Sequence, residues 1–224
     1  MGTIKDTVSK DIQAQKAVGI VEKSEYDQAL AQYNLNITDE EVKAAVTKII
    51  AEKVSENDNL EVKRFLLGSV ELTTLSTTDT EEKVLEMVEK VNRFDTEYPD
   101  LPHVAALCAY PCFTKLMADS LEVDGVDITN VTGNFPSSQT FLEVKTIETA
   151  LAIKDGATHI DIVMPVGKFL SGDYEGVCDT INEMKQACGD IPMKVILETG
   201  DLGNARAIKT ASLLSMYAGA DYIK

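Results

Sequence analysis

From Val70 onward, short apolar runs alternate with longer stretches of helical periodicity. The runs fall near residues 70–75, 103–109, 127–132, 158–164, 193–199 and 220–224, and the helical patterns near 79–94, 112–123, 140–155, 173–188 and 203–218. Runs such as Val104-Ala105-Ala106-Leu107 and Val195-Ile196-Leu197 are apolar at successive positions. Neighbouring residues of a strand point to opposite faces, so both faces of these strands must leave water, as in a parallel sheet covered by helices. Strands separated by helices imply βαβ units with right-handed crossovers.

Two architectures fit that pattern. A doubly wound open sheet can use six strands, whereas a TIM (β/α)8 barrel needs eight. The glycine-rich phosphate turn of a dinucleotide fold does not follow the first run, where Leu72-Thr73-Thr74-Leu75-Ser76-Thr77 stands instead. The sequence reaches Lys224 in mid-strand, and a core strand needs neighbours. The expectation is therefore an α/β fold, a TIM (β/α)8 barrel of which about six β/α units are present. These six, strands 1 to 6, occupy residues 65–224, and the chain is expected to be a fragment of a longer protein.

Residues 1–64 are expected to form a helical N-terminal extension. Ser24-Glu25-Tyr26-Asp27 reads as a helix start, and Thr38-Asp39-Glu40-Glu41 as a full capping box. Val42, Val46, Ile49, Ile50 and Val54 follow at helical spacing, the stretch 55–59 breaks the helix, and another helix is expected over 60–67, stopping at Gly68. The role expected for this segment is packing, oligomerisation or plugging the bottom of the barrel.

The charges inside the apolar runs carry the chemistry. Gly156-Ala157 and Gly219-Ala220 each end a helical pattern and open a strand, and Asp161 and Lys224 each stand five residues after their glycine. Equal registers in similar units project side chains the same way. A carboxylate and an ammonium then share one interior face, and alternate strands build one layer of a barrel. Charges in an apolar interior are costly unless paired or functional. A structural ion pair is one reading; a catalytic pair is the other. A lysine whose pKa is lowered by burial and a second cation becomes a nucleophilic amine that forms Schiff bases with aldehydes and ketones. A nearby carboxylate raises that pKa, so it cannot activate the amine alone; Lys194 is one candidate for the second cation.

Composition narrows the partners. Lys and Arg total 21 against 37 Asp and Glu, a net charge of -16, which argues against nucleic acid and disfavours anionic membrane surfaces. No run approaches the ~18 apolar residues of a membrane span. Met1 to Asp6 lack the apolar core of a signal peptide. Cys108, Cys112, Cys178 and Cys188 show no paired zinc spacing, and they read as reduced thiols of a cytoplasmic protein. His103 and His159 make no metal site by themselves, and His159 is expected on the barrel exterior, opposite to Asp161.

Five ordered motifs carry a family resemblance: Leu72-Thr73-Thr74-Leu75, Ala106-Leu107-Cys108-Ala109-Tyr110-Pro111, Ile160-Asp161-Ile162-Val163-Met164-Pro165, Lys194-Val195-Ile196-Leu197-Glu198-Thr199-Gly200 and Gly219-Ala220-Asp221-Tyr222-Ile223-Lys224. Together they resemble 2-deoxyribose-5-phosphate aldolase, over residues of about 70 to 224. The resemblance implies a class I aldolase on a TIM barrel, using neither metal nor cofactor. Its expected reaction is reversible cleavage of 2-deoxy-D-ribose 5-phosphate to acetaldehyde and D-glyceraldehyde 3-phosphate, in deoxyribose phosphate catabolism. It implies Lys224 as the Schiff-base lysine and Asp161 as the proton-handling carboxylate, with Lys194 accessory and Cys108 and Thr73 near the substrate. Glu71 stands where the family often has Asp. Members of the family continue past this lysine to a second catalytic lysine and a phosphate site, which this sequence does not supply. The implied partner is a small phosphorylated sugar, and homo-oligomerisation stays open. The alternative is an inactive fragment or non-catalytic barrel homologue with a packing or assembly role.

Overall fold

The three helices that precede the sheet each begin where a short polar side chain replaces the backbone partner that a first turn lacks. The computed structural model describes residues 24–224; the reading of the first six residues as lacking an export signal lies outside the described residues. Helix α1, Glu25–Leu30, is capped by Ser24, and α2, Asp39–Asn57, by the expected Thr38–Glu41 box. In that box Glu41 N donates to Thr38 Oγ1 at 3.2 Å and Thr38 N to Glu41 Oε2 at 2.9 Å. Helix α3, Leu60–Leu67, starts at Asn59 and stops at Gly68.

Six parallel strands follow, β1 Glu71–Thr73, β2 Ala106–Ala109, β3 Asp127–Thr132, β4 His159–Val163, β5 Met193–Ile196 and β6 Tyr222–Ile223. They hydrogen-bond in the order β1-β2-β3-β4-β5-β6. Sequential order is that of a barrel wall and excludes the doubly wound alternative, whose strand order reverses at a switch point. Between strands run α4 Glu81–Glu97, α5 Thr114–Ser120, α6 Leu142–Lys154, α7 Val166–Leu170, α8 Tyr174–Cys188, α9 Thr199–Leu202 and α10 Ala205–Tyr217.

The short pieces α7 and α9 differ from the sequence expectation. The apolar run at 193–199 does not stay a strand to its end, because Glu198 adopts a left-handed conformation at φ 55° and turns the chain into α9. Similarly, the start expected for β2 near 103 moves to Ala106.

Two apolar clusters hold the sheet. The larger joins Ile160, Ile162, Val195 and Met193 to Ile181 of α8 and Leu214 of α10. The smaller joins Leu107 and Ile128 to Val84 and Val88 of α4 and Met117 of α5. Helix α1 packs on α8 and α10, whereas α2 buries none of its residues and leaves Val46, Ile49, Ile50 and Val54 exposed. Its first turn is tied to α10, since Ala205 N donates to Asp39 Oδ1 at 2.7 Å. Among the described residues no helix is long and apolar enough to cross a membrane.

The two Gly-Ala junctions set the strands that matter most. Gly156 and Gly219 take φ of 114° and 104°, a region that L side chains rarely adopt, and each turns a helix end into the next strand. At Gly156 a Cβ would stand 2.7 Å from the Ala118 Cβ, so close approach as well as conformation requires glycine there.

Candidate active site

Asp161 lies at the middle of β4 and is wholly buried. Its register partner on β5 is Lys194, and Lys224 continues β6 along β5. Lys224 N donates to the Val195 carbonyl at 2.8 Å and Leu197 N to the Lys224 carbonyl at 2.9 Å. The lysine backbone is thus fixed by the sheet ladder. Asp221 pins the start of the same strand, accepting from Met193 N and from Lys185 Nζ, each at 2.8 Å.

Four charges close into a ring. Lys224 Nζ donates to Asp161 Oδ2 at 2.6 Å and to Glu71 Oε2 at 2.8 Å. Lys194 Nζ donates to Asp161 Oδ1 and to Glu71 Oε1, both at 2.9 Å. Both carboxylates therefore bridge both ammoniums, and the ring is neutral. Thr129 of β3, also buried, lies 3.4 Å from Lys194 Nζ through its hydroxyl. Charge-assisted hydrogen bonds of this kind are among the stronger ones a protein makes.

The ring sets the protonation of its members. Burial disfavours the Lys224 ammonium, but the hydrogen bonds to Asp161 and Glu71 outweigh it and hold the pKa above the ordinary lysine range. Lys194 is shifted upward in the same way, against burial, by Asp161 and then Glu71. Burial would raise Glu71, yet the two lysines bring it down to about 2. At neutral pH the resting ring is thus two ammoniums and a glutamate carboxylate around Asp161. Lys194 comes to the cluster, but its charge is taken up by the same carboxylates that hold Lys224 protonated.

Cys108 is also wholly buried beside the ring, with Thr73 as its register partner on β1. Burial, then Glu71 and Asp161, push its thiol up to about 12, with a Thr73 hydrogen bond acting the other way. Glu71, Cys108 and Asp161 offer one ligand atom each within 4.8 Å of one another. A thiol that stays protonated at neutral pH is a poor ligand, and both carboxylates are already engaged by lysines. The donor set suits ammonium better than a metal ion.

His159 is not on the exterior. It stands two residues before Asp161, and residues two apart share a strand face. Its register partner is Thr129, whose hydroxyl reaches Lys194 inside the sheet, and its Nδ1 lies 3.7 Å from Asp127 Oδ1. The sequence supplied Asp161, Lys224 and Lys194 for this site but gave Glu71 and Thr129 no part. A charged residue opening an apolar run was the available signal for Glu71.

Comparison with known proteins identifies a family. A family model described as DeoC/LacD family aldolase matches residues 66–224. Deoxyribose-phosphate aldolase of Homo sapiens is 34% identical over 170 residues, covering 69% of this chain and 52% of the human protein. The Bos taurus deoxyribose-phosphate aldolase is 35% identical over 170 residues, with the same 69% and 52% coverage. The chain thus spans about half the length of these curated relatives. Among solved structures, the tetrameric deoxyribose phosphate aldolase from Aeropyrum pernix superposes with a TM-score of 0.61 at 28% identity, covering 75% of this chain and 66% of that one.

Proposed function

We propose, from the premise that this chain belongs to the DeoC/LacD aldolase family, that it carries the Schiff-base centre of a deoxyribose-phosphate aldolase. The observation that carries the reading is the 2.6 Å contact between Lys224 Nζ and the buried Asp161 carboxylate. Neutral Lys224 attacks the aldehyde carbon of the open-chain sugar phosphate, and the carbinolamine loses water to give an iminium. A base removes the proton of the C3 hydroxyl, the C2–C3 bond breaks, and its electron pair moves into the iminium to leave an enamine. D-Glyceraldehyde 3-phosphate departs. Protonation of the enamine carbon and hydrolysis of the iminium release acetaldehyde and restore the amine. Asp161, directly or through a water, moves the protons of carbinolamine formation and loss, being the carboxylate that touches Nζ. Lys194 orients Asp161 and Glu71, and Cys108 and Thr73 shape the wall beside the reacting atoms. A cytoplasmic setting suits chemistry of this kind and four free thiols.

The experiment is reductive trapping. The protein is incubated with acetaldehyde and borohydride, digested, and mapped by mass. An ethyl group on Lys224, lost in K224M and sharply reduced in D161N, is expected. Labelling spread over surface lysines with Lys224 unmodified would defeat the assignment.

One observation favours a second reading. Two carboxylates hold Lys224 as an ammonium, as in a purely structural ion cluster. In that reading the barrel serves assembly, and the exposed stripe of Val46, Ile49, Ile50 and Val54 is its contact surface. Self-association is compatible with either reading, and the Aeropyrum pernix relative is described as tetrameric. A monomer by sedimentation that still traps acetaldehyde on Lys224 would leave only the catalytic one.

A further inference from the structure

A second site lies away from the ring. A cavity of about 610 Å³ is walled by the 137–142 segment after β3, Lys145 of α6, the 165–168 turn after β4, and Thr180 of α8. None of the residues of the ring lines it. Two lysines do. Lys145 is 4% exposed, and its Nζ donates to Ser138 Oγ at 2.7 Å. Lys168 donates to the Gly176 carbonyl at 3.2 Å.

Among the described residues, neither lysine has a carboxylate within ion-pair distance. The contrast is with Lys185, Lys194 and Lys224, each of which pairs with an aspartate. In a chain of net charge -16, acidic partners are not scarce. A buried ammonium without a counter-charge is costly. Burial and the neighbouring Lys168 accordingly lower the Lys145 pKa. An anion in the cavity would offset both the burial and the repulsion from Lys168.

The backbone adds donors. Helix α6 begins at Leu142 with no side-chain cap, and Phe141 and Leu142 line the cavity. Its first-turn N–H groups and the positive end of its dipole therefore stand at the rim. Ser138 is held at φ 56°, a conformation a non-glycine residue adopts at a cost, and this places its hydroxyl against Lys145.

We propose that this cavity binds a phosphate group, either free or as the monoester of a small organic molecule. Two ammoniums, the Thr140 hydroxyl and the first amides of α6, at Leu142 and Glu143, make more donors than a carboxylate can use, the Ser137 and Thr180 hydroxyls being already donated to Asn134 and the Gly176 carbonyl. The volume exceeds that of a bare phosphate, and Phe141 and Val166 supply an apolar wall for a carbon chain. The proposal does not rest on the aldolase reading, since no ring residue takes part.

Equilibrium dialysis at constant ionic strength tests it, with inorganic phosphate and glycerol 3-phosphate as probes. The proteins are the unmodified chain, K145M, K168M, K224M and K115M. Saturable binding of one phosphate per chain is expected, weakened about tenfold or more in K145M and K168M, as loss of a charged hydrogen bond implies. K224M and the exposed control K115M should bind as the unmodified chain does. Lys168 is exposed, so K168M carries the result should K145M fail to fold. Tighter binding of glycerol 3-phosphate identifies a monoester as the ligand, and equal binding identifies free phosphate. Non-saturable uptake, binding indifferent to K168M, or binding lost only in K224M would each overturn the proposal.

Discussion

Lys224 Nζ stands 2.8 Å from Glu71 Oε2, so the lysine of the last strand meets the glutamate of the first across 153 positions of sequence. No backbone hydrogen bond joins β1 to β6 in the sheet order. The sheet must therefore curl far enough for side chains to span the distance that the backbones leave open. This curvature, rather than any local motif, converts a row of strands into a site.

The first prediction follows from the raised pKa of Lys224. At neutral pH Lys224 is held as its ammonium, so under the Schiff-base proposal acetaldehyde trapping should rise about tenfold per pH unit from pH 7 towards 9, as the neutral amine does for any group well below its pKa. E71Q removes one of the two carboxylates that hold the proton and should raise trapping at pH 7 several-fold. Rates of ethyl incorporation into the Lys224 peptide measure both. A flat pH profile would contradict the ring as the cause.

Acid stability gives the second. Glu71 titrates at about 2 in the folded chain, below its unfolded value, so its contribution is present above about pH 4.5 and disappears as pH falls towards 2. A shift of that size corresponds to roughly 3 kcal/mol. Urea unfolding between pH 6 and 3 should show stability falling with acid. E71Q should be less stable at pH 6 and show a shallower fall.

Much of this is legible in the sequence. Asp161 and Lys224 were paired because each stands at the same offset from a Gly-Ala junction, a local signal that a strand register preserves. The capping box at Thr38 and the stop at Gly68 were equally local. Glu71 was not legible, because one glutamate at the head of a three-residue strand has no periodicity, and its partners Lys194 and Lys224 lie 123 and 153 residues away. Lys194 was ambiguous for a related reason: a lysine after Pro192 reads the same whether it faces solvent or the barrel interior. The Lys145 and Lys168 cavity left no trace, since Lys145 sits in an ordinary helical pattern, Lys168 falls between an expected strand and the next expected helix, and only the fold turns them to one space.

The third prediction separates the two glycines. G156A meets both an unfavourable φ and a methyl contact at 2.7 Å with Ala118, so a loss of about 2–3 kcal/mol is expected in urea unfolding. G219A meets the unfavourable φ, but its nearest neighbour is the flexible Lys185 side chain at 3.4 Å, and a loss of about 1 kcal/mol is expected. Equal losses would show that steric contact at Ala118 contributes nothing.

The fourth concerns thiols. Cys108, Cys178 and Cys188 are buried with pKa values raised to about 12, 12 and 11, whereas Cys112 is exposed. Iodoacetamide at pH 7.5 under native conditions should modify Cys112 and spare the other three until the protein is unfolded. Peptide mapping of the alkylated protein reads this directly. Early labelling of Cys108 would mean that the ring region opens far more often than its packing implies.

The neutral ring also dictates an order of assembly. Its members come from β1, β4, β5 and the end of β6, so an intermediate with only β1–β5 in place would hold two carboxylates against the single cation of Lys194. Such an intermediate carries an unbalanced negative charge at its centre, where solvent has begun to leave. Arrival of Lys224 removes that imbalance, and β6 is drawn in by a charge its own backbone does not carry. During synthesis the centre stays incomplete until residue 224 has cleared the ribosome, while the apolar clusters of the earlier units are free to form. Long-range electrostatics would then favour late docking of β6 onto β5, and pulsed hydrogen exchange should find the Lys224 amide protected after those of β3 and β4.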